Sequence, residues 1–412
     1  MPHAVLLEEK ELDKLVKAGR IFRGQYGNEE ITYLDLAYQA LQIGCIPAQS
    51  HRSYIQNTAV DGVSNNYRFV FRHFGRGKAL YVLFWRIIGF KNPIREIYSF
   101  FTNRESKISL AYLETKKNGF QVELNIEPMV SVIIPTLNRY EYLKDVLSDL
   151  EKQTYKNFDV WICDQSDDYK EDFYKGWNLD LHVIKQEQKA LWRARNRCVS
   201  ECNSDWVLFS EDDVRFNSNW LINHIMVSQT TNASVVCGVF HKDQNLPQEL
   251  KKLKIATFFA SGNGLVHKSV FVQCGVFDEK FEKMRMGDGE FGLRCALNGV
   301  LIVQNPYSLC IDVKAPTGGL RLMGAWDAIH SIGLFKPRPI PSSLYLARKH
   351  FDNETALIYG LSQLPKSLIP YRLKGSRVLR KIPYLFMSVL LSPILLFTFW
   401  MSWRKSSEML GK

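Results

Sequence analysis

The run Trp206-Val207-Leu208-Phe209-Ser210-Glu211-Asp212-Asp213 constrains this chain most: an apolar segment of strand character stops abruptly in three consecutive acids. Adjacent carboxylates repel, so a fold that sets them at the mouth of a core strand has to supply a countercharge. A divalent cation shared with a phosphorylated ligand meets that need, because hard cations take oxygen ligands and phosphates supply them. Alone, the triplet also looks like a solvated loop end, and its neighbours decide between the readings.

Upstream stands Val130-Ser131-Val132-Ile133-Ile134-Pro135-Thr136-Leu137-Asn138-Arg139-Tyr140. Four of its first five residues are β-branched aliphatics, which predicts a short strand buried on both faces and ended by Pro135. Tyr142, Leu143, Val146, Leu147 and Leu150 follow at helical spacing. A second strand-like run, Phe158 to Cys163, stops at Asp164-Gln165-Ser166-Asp167-Asp168. Strand, polar loop, helix, strand, polar loop is the opening of a parallel α/β sheet, where ligands sit at the carboxyl ends of strands. Thr136, Asn138, Arg139, Asp164 and the acids at 211–213 all fall there.

In this order, Val-Ser-Val-Ile-Ile-Pro-Thr-x-Asn-Arg, Asp-Gln-Ser, Arg195-Asn196 and Glu-Asp-Asp, the residues resemble the family 2 glycosyltransferases. The resemblance runs from about Val130 to about Arg321, with a weaker echo to Phe351. It implies a GT-A nucleotide-sugar-binding fold, an α/β architecture whose central sheet is mostly parallel and flanked by helices. It also implies inverting transfer of a sugar from a nucleotide-activated donor to an acceptor hydroxyl. By resemblance, Pro135 and Thr136 line the nucleoside pocket, Asp164 bonds the base, and Asn138, Arg139 and Arg195 lie near the nucleotide. Glu211 and Asp213 match the outer members of the family's acidic metal motif around Asp212, with Asp213 as the metal ligand.

Downstream, Gly275-Val276-Phe277-Asp278-Glu279 resembles the family's loop before its catalytic acid. In Gly287-Asp288-Gly289-Glu290-Phe291-Gly292-Leu293-Arg294, Asp288 takes the general-base position, while Gly287 stands where relatives more often carry Glu. Asp288 also suits a helix N-cap, a role compatible with catalysis. Many relatives carry a His before a Lys-Ala-Pro-x-Gly-Gly stretch; here Asp312 precedes Lys314-Ala315-Pro316-Thr317-Gly318-Gly319, either as a second ligand to Mg²⁺ or Mn²⁺ or as a loop acid.

The implied chemistry needs these groups. Expelling a nucleoside diphosphate builds charge that a metal neutralises, and the attacking hydroxyl must lose a proton to a carboxylate. Neither a Gly-x-Ser-x-Gly elbow nor a Walker-type Gly-Lys-Ser/Thr loop occurs, which excludes those hydrolase and phosphate-loop classes. The Gln-x-x-Arg-Trp motif of processive relatives is missing too, which implies single-sugar transfer.

Charge and hydropathy point to a membrane. The net charge is +11, yet residues 130–321 carry −2, so the excess lies outside the expected catalytic region. Residues 66–95 hold seven basic residues and no acid among many aromatics, a composition suited to anionic lipid or to nucleic acid. Ile382 to Trp403 is uncharged, with Tyr384, Trp400 and Trp403 near its ends and Arg380, Lys381, Arg404 and Lys405 outside. As one helix it would reach about 33 Å, enough for a bilayer core, with Pro393 as a kink. A kinked span and a re-entrant or in-plane hairpin both remain open. The eight cysteines are scattered without zinc spacing and no secretory signal opens the chain, so reduced, buried thiols are expected.

The expected organisation is an N-terminal extension of unassigned role at 1–129, with residues 1–30 partly helical, and a catalytic domain at 130–321. A linker and helical region at 322–381, a membrane segment at 382–403 and a tail at 404–412 follow. The expected protein is a glycosyltransferase at the cytoplasmic face of the cell membrane, single-pass or monotopic. It would use a nucleotide-sugar donor, a saccharide or lipid-linked saccharide acceptor and a divalent metal, and no nucleic acid. A catalytically silent nucleotide-sugar-binding or scaffold protein of the same fold is the alternative that Gly287 and Asp312 leave open.

Overall fold

The structure, a computed structural model, describes residues 9–46, 62–89, 91–111, 126–315, 333–370, 373 and 378–411. The expectations for residues 1–8 and for Pro316 to Gly319 lie outside these. The chain divides into two compact units: residues 1–59, 109–282 and 288–320, and residues 60–108, 283–287 and 321–412.

In chain order, the elements open with helices α1 (Glu9–Lys17) and α2 (Glu29–Gln42) of the first unit, then α3 (Val63–Phe74), α4 (Arg76–Ile88) and α5 (Pro93–Thr102) of the second. Next come β1 (Val130–Thr136), α6 (Tyr140–Glu151), β2 (Phe158–Asp164), β3 (Leu181–Lys185), α7 (Leu191–Glu201), β4 (Trp206–Ser210) and β5 (Val214–Arg215). The first unit continues with α8 (Trp220–Thr231), β6 (Val235–His241), β7 (Lys254–Ile255), β8 (Asn263–His267), α9 (Ser269–Cys274), α10 (Gly287–Leu297) and β9 (Ile302–Asp312). The second unit closes with α11 (Pro341–His350), α12 (Asn353–Gln363), α13 (Ile382–Leu390) and α14 (Ser392–Leu410).

The first unit is an α/β fold around one nine-stranded sheet, ordered β3-β2-β1-β4-β8-β6-β9-β5 with β7 alongside β9. Its β3-β2-β1-β4 half is parallel, as the alternating strand and helix pattern predicts. The sheet as a whole is mixed rather than mostly parallel. β8 lies antiparallel between β4 and β6, and β5 and β7 run antiparallel to β9. Buried Asn263 at the start of β8 bridges the sheet: its amide donates to the carbonyls of Val239 and Ser308, and its oxygen accepts from the Trp220 indole at 2.8 Å. The His224 ring lies 2.9 Å from the same oxygen, and burial pulls its pKa down to about 4.

β1 is buried at every position and continues through Pro135 to Thr136 instead of stopping at the proline. On the β4 side, pairing ends at Ile133, so the N–H that Pro135 lacks is not required there. On the other side, Pro135 and Thr136 stand opposite Cys163 and Asp164. α6 buries Leu143, Val146, Leu147 and Leu150, the helical stripe expected from the sequence. All eight cysteines are free thiols.

In the second unit, no single helix among the described residues is long and apolar enough to cross a membrane. The uncharged run from Ile382 to Trp403 is broken at Leu391, where α13 and α14 meet at 82°. Pro393 sits in the first turn of α14, where a missing N–H costs nothing, and the helix runs on past Arg404 and Lys405 to Leu410.

Candidate active site

Five chain segments meet at the carboxyl ends of β1, β2 and β4. Thr136 closes β1 and donates from its hydroxyl to Asp212 Oδ2 at 2.8 Å. Arg139, at the start of α6, sends one guanidinium nitrogen to Asp212 Oδ1 and Asp213 Oδ2, both at 3.0 Å. The countercharge that the acid run demands is therefore, in part, an arginine of the same chain. Asp212 is almost wholly buried, and that burial raises its pKa to about 6 against the lowering influence of Arg139.

Asp213 and Asp312 stand on neighbouring strand ends. Val214 is paired with Asp312, and the Asp213 carbonyl accepts from the Val313 N–H at 3.1 Å. Asp213 Oδ2 also accepts from the Ala315 N–H at 3.2 Å, while Asp312 Oδ1 accepts from the Lys314 N–H at 3.1 Å. Glu211 points the other way, toward the buried Arg195, whose guanidinium approaches it to 3.8 Å and donates to Ser261 Oγ at 3.2 Å. Gly262 makes room for Glu211: a Cβ there would fall 2.3 Å from the Glu211 Cγ.

Asp164 ends β2 with every oxygen engaged. Its Oδ2 accepts from the Tyr140 hydroxyl at 2.5 Å and the Tyr174 hydroxyl at 2.8 Å, and its Oδ1 from the Ser166 N–H at 2.8 Å. Burial and then the carboxylate push both phenols up. Neither tyrosine is marked in the sequence as a partner of Asp164. Asn138 has a left-handed backbone, φ 54°, and exchanges hydrogen bonds with Asp167 at 2.8 and 3.0 Å, tying the β1 loop to the β2 loop.

α7 carries Arg195 and is fixed at its first turn and at its middle. Glu282 accepts from the Leu191 and Arg193 N–H groups, each at 2.8 Å, and so satisfies the open N-terminus of the helix. Asn196 exchanges two 2.9 Å bonds with the backbone of Phe277. The Arg195-Asn196 pair therefore divides its work: arginine toward the acids, asparagine toward the Gly-Val-Phe-Asp-Glu loop.

Asp288 lies inside the first turn of α10 and is exposed, its Oδ1 accepting from the adjacent Gly289 N–H at 2.8 Å. Two residues on, Glu290 is fully buried and pairs in bidentate fashion with Arg294 at 3.0 and 2.9 Å. Arg294 also donates to the carbonyls of Cys274, Gly275 and Val276. α10 is held under the end of β4 by rings: Phe291 meets Phe277 at 4.6 Å, and Phe277 meets Phe209 at 5.3 Å.

Among the described residues, the one group of three possible metal ligands within 4.8 Å of one another is Asp159, Asp180 and His182. It could hold an ion, but Asp159 is the second residue of β2, at the opposite strand end from Asp164 and the predicted ligands.

Residues 131–278 match the family described as glycosyl transferase family 2, and this stretch is a glycosyltransferase domain of that family. An uncharacterized glycosyltransferase of Haemophilus influenzae is 30% identical over 86 residues, which is 21% of this chain and 29% of that protein. The chain thus matches under a third of that relative's length. Solved structures of lower similarity include S. aureus TarS 1-349 in complex with UDP-GlcNAc, with TM-score 0.43 and 19% identity, covering 60% of this chain and 69% of that one. GalNAc-T7 with UDP, GalNAc and Mn²⁺ has TM-score 0.43 and 14% identity, covering 60% and 52%.

Proposed function

We propose that this chain, with its family 2 glycosyltransferase domain, moves one sugar from a nucleotide-sugar donor to an acceptor hydroxyl with inversion. The observation that carries the proposal is the convergence of Thr136, Arg139, Asp164, Arg195 and the acids 211–213 on one strand-end site. In this reading, Asp164, Thr136 and Pro135 receive the nucleoside, and Arg139 and Arg195 face its phosphates. Asn138 holds the two loops that frame them.

A divalent metal, Mn²⁺ or Mg²⁺, fits the hard carboxylate oxygens that Asp213 and Asp312 bring to neighbouring strand ends. When bound, it would neutralise charge on the leaving diphosphate. Arg139 has a second role here, since it shares the Asp213 carboxylate and would exchange that acid for phosphate as the donor arrives. Asp288 is the general base: its exposed carboxylate stands ready to take the acceptor proton, whereas Glu290 is committed to Arg294.

The membrane belongs to the same proposal. In this reading the chain works at the cytoplasmic face of the cell membrane on a saccharide or lipid-linked saccharide in cell-surface polysaccharide or glycolipid synthesis, supported by the apolar α13 and α14 and the basic, aromatic segment 66–95. A second reading, a silent nucleotide-sugar binder, draws on Gly287 in place of an acid and on the arginine already seated at Asp213. Hydrolysis of nucleotide sugars with added Mn²⁺ or Mg²⁺ separates the two: metal-dependent release of nucleoside diphosphate supports the enzyme, and binding without turnover of any donor or acceptor supports the silent protein.

A further inference from the structure

Four helices of the second unit carry an outward apolar stripe although apolar residues such as Leu83, Phe100, Leu395 and Phe399 already fill its cores. α5 turns Glu96, Ser99 and Asn103 inward, with Glu96 only 2% exposed. Outward, at positions i, i+3, i+4 and i+7, stand Ile94, Ile97, Tyr98 and Phe101, with Ile94 80% and Tyr98 67% exposed. α4 exposes Leu80, Phe84 and Ile88 at four-residue spacing, and α13 exposes Ile382, Leu385, Phe386, Val389 and Leu390 while burying Ser388. α14 buries Thr398, Ser402 and Ser406 beside Leu395 and Phe399 and leaves Leu396, Phe397 and Trp400 outside.

The inward polar groups are satisfied, so the pattern is built rather than accidental. Arg86 binds Glu96 twice, at 2.8 and 2.7 Å, and the Tyr67 hydroxyl adds a third bond at 2.9 Å. Ser402 donates to the Pro339 carbonyl at 2.5 Å, and Arg348 donates to Ser406 and Ser407 at 2.7 and 2.8 Å. A water-facing helix shows the opposite arrangement, and scattered exposed apolar residues do not fall at helical spacing on four elements. α4 and α13 are also neighbours of one turn, Pro365–Leu368: Lys366 donates to the Tyr81 hydroxyl of α4 at 3.1 Å, and α13 packs against the same turn.

Charge decides between lipid and protein as the cover. The second unit holds 25 Lys and Arg against 7 Asp and Glu, a net +18, while the remainder of the chain is negative. Its basic groups lie over exposed rings: the Arg104 guanidinium is 4.5 Å from the Phe101 centroid, and that of Arg404 is 6.0 Å from Trp400. Rings and cations side by side suit the headgroup level of an anionic bilayer. Depth is limited by geometry. α13 is about 13 Å long against a hydrocarbon core of about 30 Å, and α14 is tied to the protein along one face.

We infer that the exposed faces of α4, α5, α13 and α14 form one in-plane docking surface for a single anionic leaflet, with none of these four helices crossing the bilayer. This rests on the membrane reading proposed above and specifies its mode. The full chain is floated with phosphatidylcholine vesicles with and without phosphatidylglycerol, beside Ile94→Glu/Phe101→Glu and Phe386→Glu/Val389→Glu variants whose folding is checked by thermal melting. Expected are binding that requires phosphatidylglycerol, a loss of roughly tenfold or more in each variant, and terminal tags that are both cleaved by protease added outside sealed vesicles. A carboxyl-terminal tag protected from protease overturns the in-plane mode and leaves membrane association standing. Wild-type binding by the α5 variant restricts the contact to α13 and α14 and overturns the shared surface. If no vesicle is bound and the variants instead convert a dimer to a monomer, the face is a protein interface and the membrane reading falls with the inference.

Discussion

Arg139 places one guanidinium nitrogen 3.0 Å from Asp213, the acid in the metal-ligand position, and at the same distance from its neighbour Asp212. Two largely buried carboxylates are thereby held together by one cation that a donor diphosphate would also attract. Arg139→Ala should cost about 3 kcal/mol of stability in chelator, the scale for breaking a buried pair. Added Mg²⁺ or Mn²⁺ should restore part of it. Denaturant titrations with and without metal read this, and an unchanged midpoint in chelator contradicts the countercharge role.

Asp288 and Glu290, two residues apart, should respond in opposite ways. Asp288→Asn should keep donor binding and stability but lose transfer by about a hundredfold. Glu290→Gln should lower the melting temperature, because it strips Arg294 of its buried partner. Transfer near the starting rate in Asp288→Asn would move the base elsewhere.

Tyr174 and Tyr140 hold Asp164 from one side. Tyr174→Phe should cost about 1 to 2 kcal/mol by leaving a buried carboxylate oxygen short of a donor, and should weaken nucleotide binding as Asp164 shifts. Calorimetric binding beside chemical denaturation tests both halves; full retention of both argues against a positioning role.

His224 makes stability depend on pH. Its pKa is about 4 in the folded chain and near 6.5 when unfolded, so the unfolded chain binds the proton first. Its contribution is complete above pH 6.5 and is lost as pH falls toward 4, on the order of 3 kcal/mol in all. Comparing wild type with His224→Gln over that window should show a shallower acid slope in the variant. Parallel curves would mean that the ring is not buried in its neutral form.

Much of the site could be read from the chain, because β1, β2 and β4 are short β-branched or aromatic runs with abrupt polar ends. The α6 stripe was equally plain. What could not be read depends on distant chain crossings: Arg139 meeting Asp212 and Asp213, and Tyr174 meeting Asp164. The antiparallel β8 was hidden because five residues containing a glycine carry little strand signal. Glu290 with Arg294 did carry a local signal, the i, i+4 spacing of opposite charges on a helix. In α5 the periodicity marks an apolar stripe but not which way it faces, so its outward direction emerges only from burial.

A metal-dependent donor site at the acid end of β4 is tested by thermal stabilisation with a panel of nucleotide sugars. At least one donor should raise the melting temperature of the wild type when Mn²⁺ or Mg²⁺ is present, and folded Asp213→Ala should show no such shift. A variant stabilised as well as the wild type, or a wild type that no donor stabilises with metal, would contradict it.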